Sequence, residues 1–294
     1  MLTKALTIAE NAPPMTTPTA NMKALPRLMN SLNSAQRPGP FFSFLAILFI
    51  CILSLLILCD YIAKLNNIFK KGLNKLKYSQ RKGENMASII YLGHASFLLK
   101  AKDFSLVIDP YRNDSVPNLT FPKGIEVDQV FCSHDHFDHN AKDLVKIKNN
   151  PKPIDVIERI VPHDDCGGAK RGMNKIRMFN IDGYKVVHMG DTGCILSLKE
   201  LEPFVNCDVL LAPINGFFTI GPDALKEMAK IIKPLILIPM HYYMDEYQSG
   251  YPDGNMIEKF KKLFPDYHYL QTEELDLDKC KDFEGVFIFN KYRQ

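Results

Sequence analysis

The run Ser133-His134-Asp135-His136-Phe137-Asp138-His139 sets three imidazoles and two carboxylates within six consecutive positions, directly after the apolar stretch Val127 to Cys132. If that stretch is a strand, residues two apart at its end share a face, so His134 and His136 can converge on one cation. As the chain turns away, Asp138 and His139 can point into a neighbouring site. Mixed imidazole and carboxylate donors suit zinc, manganese or iron better than calcium or magnesium. The alternative is a solvated polar loop, for which so dense a set of metal-ligating types around one phenylalanine is an unusual composition.

Three later residues extend the set. His163 follows Ile160-Val161-Pro162, Asp191 stands in Gly190-Asp191-Thr192, and His241 closes Leu237-Ile238-Pro239-Met240. Taken singly, each has an ordinary reading as a strand-end histidine or a turn aspartate. Together they share a context, just past the C-terminal end of an apolar strand, which is the edge where α/β sheets place their sites. They also supply the donors that two metals would need beyond the first cluster.

The elements that must position these residues begin at Ser88. Strands are expected at Ile89 to Leu92, Ser96 to Leu99, Leu106 to Ile108, Val127 to Cys132, Tyr184 to Met189, Val209 to Leu211 and Leu235 to Met240. Helical spacing of apolar residues runs through 140–148, 198–204, 222–232 and 255–264. No repeat of solenoid length is present.

Upstream of this α/β region the character of the chain differs. Residues 1–85 hold eleven Lys/Arg against three Asp/Glu, a net of +8, which leaves 25 basic and 30 acidic residues, a net of −5, in 86–294. An acidic catalytic region is poorly suited to holding a polyphosphate backbone, so nucleic acid is not the expected partner. Residues 1–40 are rich in Pro, Thr, Asn and Ser and are expected to form a disordered tail. Phe41 to Cys59 carries no charge and only two serines over nineteen residues. As a helix it would be roughly 28 Å long, the thickness of a bilayer core. Residues 41–60 are therefore expected to form one transmembrane helix rather than a cleaved leader, whose apolar core would be shorter and followed by a small-residue cleavage site. Residues 61–85, with Lys64, Lys70, Lys71, Lys75, Lys77, Arg81 and Lys82, form a basic juxtamembrane segment that places the following domain, 86–294, on the cytoplasmic side. Cysteine usage agrees with a reducing compartment. Outside the apolar run there are five cysteines, an odd number without paired spacing.

The quoted residues resemble the metallo-β-lactamase superfamily, and within it the branch of ascorbate-6-phosphate lactonase and N-acylphosphatidylethanolamine phospholipase D. The matching stretches are Gly93-His94-Ala95-Ser96-Phe97, Ile108-Asp109-Pro110, the His134 to His139 run, His163-Asp164-Asp165 with Gly167-Gly168, Gly190-Asp191-Thr192 and Pro239-Met240-His241-Tyr242. The resemblance implies a four-layered αββα sandwich with metals at the sheet edge. It implies that His134, His136 and His163 bind a first metal, that Asp138, His139 and His241 bind a second, and that Asp191 bridges them. Zn2+ is the expected ion for both, with Mn2+ the alternative. Asp109 matches an aspartate supporting the metal-binding loop. His94 matches a histidine that either faces the cleft or serves the fold, and Arg171 and Asn174 sit where relatives pack a loop beside the site. His188 and Cys166 receive no role. Only 23 residues separate His139 from His163, which leaves little room for a substrate-covering insertion.

The implied activity is hydrolysis of an ester, lactone or phosphodiester bond by a metal-bridging hydroxide, with Asp138 and Asp191 as catalytic carboxylates. The anchor adds an expectation of a small-molecule or lipid-like substrate met at the membrane. The competing readings are a nuclease of the same superfamily, disfavoured by the net charge, and a metal-binding membrane scaffold without catalysis, disfavoured by a complete donor set.

Overall fold

The computed structural model describes residues 87–244, 256–280 and 284–294, together with five positions between 48 and 58. The expected tail, most of the expected membrane span and the basic segment lie outside the described residues. Among the described residues no helix is long and apolar enough to cross a membrane.

Two sheets face each other. The smaller contains β1 (Ser88–Gly93), β2 (Ser96–Lys100), β3 (Ser105–Ile108), β5 (Gln129–Phe131) and β13 (Glu274–Asp276), in the order β13-β1-β2-β3-β5. The larger runs β12-β14-β11-β10-β9-β8-β7, formed by β7 (Val156–Pro162), β8 (Met173–Ile181), β9 (Tyr184–His188), β10 (Val209–Pro213), β11 (Ile236–Met240), β12 (Tyr267–Leu270) and β14 (Gly285–Phe289). Strands β9 to β12 and β14 pair in parallel, while β7, β8 and β9 form an antiparallel meander. The meander turns at Asp182-Gly183, both at positive φ, the conformation that a tight hairpin demands.

Alternation along the strands decides what each face meets. Ile89, Tyr91, Phe97, Leu99, Leu106 and Ile108 of the smaller sheet pack on Phe179, Val186, Val209, Leu211, Ile238 and Phe289 of the larger one, and all are buried. The opposite face of the larger sheet sends Val187, Leu210, Ala212, Leu237 and Ile288 against helices. These are α1 (Leu198–Leu201), α2 (Pro222–Ile232) and α3 (Met256–Leu263). Helix α1 is started by Ser197 and Glu200, each bonding the other's backbone as a capping box, and gives way at Pro203 to a 3-10 turn. Helix α2 inserts Leu225, Met228 and Ile232, spaced by three and four.

The fourth layer differs from the expected helical one. The outer face of the smaller sheet, with Ile90, Leu92, Leu98 and Val107, is covered by Tyr111, Val116, Leu119, Phe121, Ile125, Val127 and Val145 from an irregular stretch. The helix expected over 140–148 is only a 3-10 turn, Lys142–Leu144, followed by β6 (Lys146–Ile147), which pairs with β4 (Glu126–Val127). Ala141 and Val145 are buried four residues apart, which imitates one face of a helix. Instead, the backbone N–H groups of Ala141, Lys146 and Lys148 bond the carbonyls of Pro110, Ile125 and Val127.

Phe97 is fully buried between the sheets and touches the rings of Tyr91, His188 and Phe289. Phe97→Ala is expected to destabilise the domain by about 3–5 kcal/mol through the cavity it leaves. In urea unfolding, the midpoint should fall while the slope is unchanged.

Candidate metal centre

The loop after β5 turns back on β3 through one buried aspartate. Asp109 ends β3 at φ +49° and receives the Ser133 backbone N–H and the Ser133 hydroxyl, both at 2.6 Å. The same carboxylate lies 2.9 Å from His139 Nδ1. Burial alone would raise the pKa of Asp109, but the charge and hydrogen bond of His139 beside it, with His188 and His134 adding to them, hold it down at about 2. With Nδ1 committed to Asp109, His139 presents Nε2 to the cleft. Ser133 Oγ also lies 2.9 Å from His134 Nδ1, so His134 likewise turns Nε2 outward.

The second half of the cluster is set by β8 and β9. Asn174 donates from Nδ2 to the Met189 carbonyl at 2.8 Å and accepts the Asp191 N–H at 2.9 Å, clamping the turn that carries Asp191. Gly190 lies against Asn174 so closely that a Cβ would stand 2.1 Å from its Oδ1. Gly193 is pressed against the His163 turn, where a Cβ would be 2.2 Å from both the His163 carbonyl carbon and the Asp164 nitrogen. Its N–H bonds the Pro162 carbonyl at 3.0 Å. That turn is organised by Asp164, whose carboxylate accepts the backbone N–H groups of Cys166, Gly168, Lys170 and Arg171. Desolvation opposes its charge, yet these four donors hold Asp164 well below the carboxylate range.

Seven residues singled out by sequence meet in one place. His134, His136 and His163 offer ligand atoms within 4.8 Å of one another. Asp138, His139 and His241 form a second group within that limit, joined by His94. Asp191 Oδ2 stands between the two, 3.5 Å from His163 Nε2, 3.3 Å from His139 Nε2 and 3.0 Å from His241 Nε2. His94 Nε2 lies 3.3 Å from both His139 Nε2 and Asp138 Oδ2, so it faces the cleft.

The cluster fits a cation on its own geometry. His134 Nε2, His163 Nδ1, His241 Nδ1 and Asp191 Oδ1 are buried and have no hydrogen-bond partner. Each such atom costs about 1–3 kcal/mol unless something binds it. His134 Nε2 and Asp191 Oδ1 belong to the ligand cluster and call for an ion there, while His163 and His241 meet Asp191 through Nε2 rather than through their unpartnered Nδ1. Protonation follows the same demand. Burial lowers the pKa of His94 to about 4 and that of His134 to about 3. Burial works against a charge on His139 as well, but Asp191, Asp138 and Asp109 together raise it well above its ordinary value. One proton on His139 thus occupies the seat of a larger positive charge.

A family model described as a β-lactamase superfamily domain matches residues 88–241. A UPF0173 protein of Pyrococcus abyssi is 30% identical over 200 residues, covering 89% of that relative and 59% of this chain. A UPF0173 metal-dependent hydrolase of Thermoplasma acidophilum is 30% identical over 212 residues, 91% of its length and 61% of this chain. The chain belongs to the UPF0173 metal-dependent hydrolases of the metallo-β-lactamase superfamily. Among solved structures, a Thermotoga maritima protein described as a candidate Zn-dependent hydrolase of that superfamily superposes with a TM-score of 0.52 at 28% identity, over 97% of that chain and 69% of this one.

In this UPF0173 hydrolase several residues do work that spacing alone did not assign. Ser133, Asp164 and Gly193 had no role in the sequence reading, and their signal is positional, since each adjoins a candidate ligand or its turn. His188, also given no role, is a buried support. Its Nε2 lies 2.9 Å from the Ala95 carbonyl and its Nδ1 accepts the Gly190 N–H at 3.1 Å. Cys166 is exposed and free.

Two outcomes follow. Gly193→Ala should force the His163 and Asp191 turns apart, leaving a folded protein by circular dichroism whose zinc content is less than half that of wild type. The metal-free protein should be most stable near pH 6.5. Below that value the unfolded chain takes up protons on His94 and His134 while the folded chain resists until about 4 and about 3, so stability falls. Above it, folded His139 keeps a proton that the unfolded chain has lost, so stability falls again toward its raised pKa. Zinc should abolish the alkaline limb, because a metal needs no proton there. Thermal unfolding across pH 4–9, with and without zinc, checks both limbs.

Proposed function

We propose that this hydrolase is dinuclear and cleaves an ester, lactone or phosphodiester bond, in line with the narrower resemblance to the lactonase and phospholipase branch. The observation that carries the reading is the carboxylate of Asp191, shared between two groups of ligand atoms at the base of one cavity. His134, His136 and His163 would hold one divalent ion, Asp138, His139 and His241 the other, and Asp191 both, with Zn2+ or Mn2+ suited to the donors. Bound there, the ions supply a water of lowered pKa as nucleophile near neutral pH and polarise the bond attacked.

The chain's own groups then have distinct tasks. Asp138 is partly exposed to the cavity and kept ionised, against its burial, chiefly by His139 and then His94, so its carboxylate is available to ligate and to orient the nucleophile. Asp109 and Ser133 keep His134 and His139 in the tautomers that ligation requires. The cavity, about 420 Å³, suits a small substrate or the reacting end of a larger one.

The reading extends to the membrane. Residues 41–60 would anchor the enzyme, with the catalytic domain in the cytoplasm, so that a lipid-like substrate is reached from that face. Support comes from the uncharged run and from five described positions within it, Leu48, Phe49, Ile52, Ile57 and Leu58, which are helical with exposed apolar side chains.

Purified with its metals, the full chain should contain about two zinc or manganese ions and hydrolyse at least one member of an ester, lactone and phosphodiester panel. Asp191→Ala should lose both ions and at least a hundredfold in kcat/KM. Less than one ion in wild type, or turnover undiminished in Asp191→Ala, would overturn the dinuclear reading. Alkaline carbonate extraction tests the anchor separately, since release of the full chain from membranes would refute it.

A further inference from the structure

We propose that Arg171 binds substrate and that the molecule cleaved carries a second, anionic group, a carboxylate or phosphate, held by this guanidinium while the scissile bond meets the metals. This deepens the hydrolase reading and rests on it.

Arg171 lines the cavity together with His94, Asp138, His163, Asp191 and His241. Its guanidinium is neither loose nor neutralised. The carbon Cζ lies 4.8 Å from the ring centroid of Phe218 and 5.6 Å from that of Phe217, and Nη1 donates to the Phe217 carbonyl at 3.3 Å. Among the described residues no carboxylate pairs with it. Lys170, the other cation lining the cavity, is by contrast bound to Asp165 at 3.3 Å. Two aromatic rings and one carbonyl orient the planar fork but leave most of its donors for a ligand, and a fork of this kind matches the oxygens of carboxylate or phosphate.

The backbone fixes this cation relative to the metal site. Arg171 N–H bonds Asp164, the residue after His163, and the next residue, Gly172, accepts the His163 N–H at 3.0 Å. One turn therefore carries a metal ligand and the guanidinium in a set register. The lining also includes Val116 and Pro117 beside Ser115, an apolar surface for the part of a substrate between its two polar ends. In charge terms, the lining carboxylates Asp138 and Asp191 are outweighed once two divalent ions are bound, so with Arg171 the loaded cavity is positive. The domain around it is acidic, net −5 over 86–294. A positive cavity in an acidic surround favours small anions over a nucleic-acid backbone.

The test uses the full chain loaded with zinc and titrated calorimetrically with inorganic phosphate and with glutarate. At least one should bind, and Arg171→Gln should weaken that binding by roughly tenfold to a hundredfold, the worth of one charge-assisted pair, with zinc content unchanged. Arg171→Lys should recover part of the loss, because it restores charge without the fork. Unaltered anion binding in Arg171→Gln, or no binding of either anion to zinc-loaded wild type, would overturn the proposal and leave the hydrolase reading standing. Failure of the wild type to hold either zinc or manganese would instead remove the dinuclear reading beneath it.

Discussion

A full negative charge on Asp109, buried without exposure between the sheets and the metal-centre loop, is the constraint on which the rest of the centre depends. A carboxylate there is tolerable only when its oxygens are occupied, and the occupants are the Ser133 N–H, the Ser133 hydroxyl and His139 Nδ1. Each contact has a consequence beyond solvating the charge. The N–H fixes where the loop leaves β5, the hydroxyl passes the constraint to His134, and the imidazole is locked with Nε2 toward the cleft. The ends of β3 and β5 pair in parallel, Ile108 opposite Phe131, which sets Asp109 under the loop in the first place.

The same economy governs backbone strain. His94, Asp109 and His241 adopt positive φ, a conformation costing a non-glycine residue about 1–2 kcal/mol. Two of these residues face the cleft and the third supports it. The His241 N–H bonds the His94 carbonyl at 3.0 Å, and Tyr91 Oη donates to that same oxygen, so the two strained turns brace each other across the gap between the sheets. Strain placed at strand ends bends the chain abruptly and delivers side chains into the cleft, which a smoothly continuing strand would direct to one sheet face or the other.

How far sequence could read this molecule follows from which residues serve one purpose and which serve two. Buried parallel strands such as β10 and β11 are continuous apolar runs and were legible, as was α2 with its three- and four-residue spacing. Strand β8 was not, because Asn174 and Arg177 interrupt its alternation. Asn174 is buried to clamp the Asp191 turn, and Arg177 reaches the Cys132 carbonyl and Glu158 beneath the β5 loop. Polar residues demanded by the site thus erased the pattern of the strand that carries them. At the site itself, spacing could propose the cluster His134 to His139, but only shared strand-end context drew in His163, Asp191 and His241. The close approach enforced at Gly193 has no one-dimensional trace, since it depends on a turn thirty residues away.

Metal and fold are therefore joined through electrostatics. Without a cation the cluster sets three carboxylates around His139, which hold a proton on it, but burial keeps His94 and His134 neutral. His134 Nε2 and Asp191 Oδ1 stay buried without partners, a cost that the attraction around His139 does not remove. A packed core does not need such a feature, and replacing these residues by apolar ones would be the stable choice if packing were the only demand. Their retention at the junction of two sheets, braced by Asp109 on one side and Asn174 on the other, means that the scaffold holds unfavourable groups in place for a ligand that resolves them. Binding energy of the ion then includes satisfying those desolvated, unpartnered donors, so the sheets lose least by being rigid and the metal gains most from finding its donors already assembled.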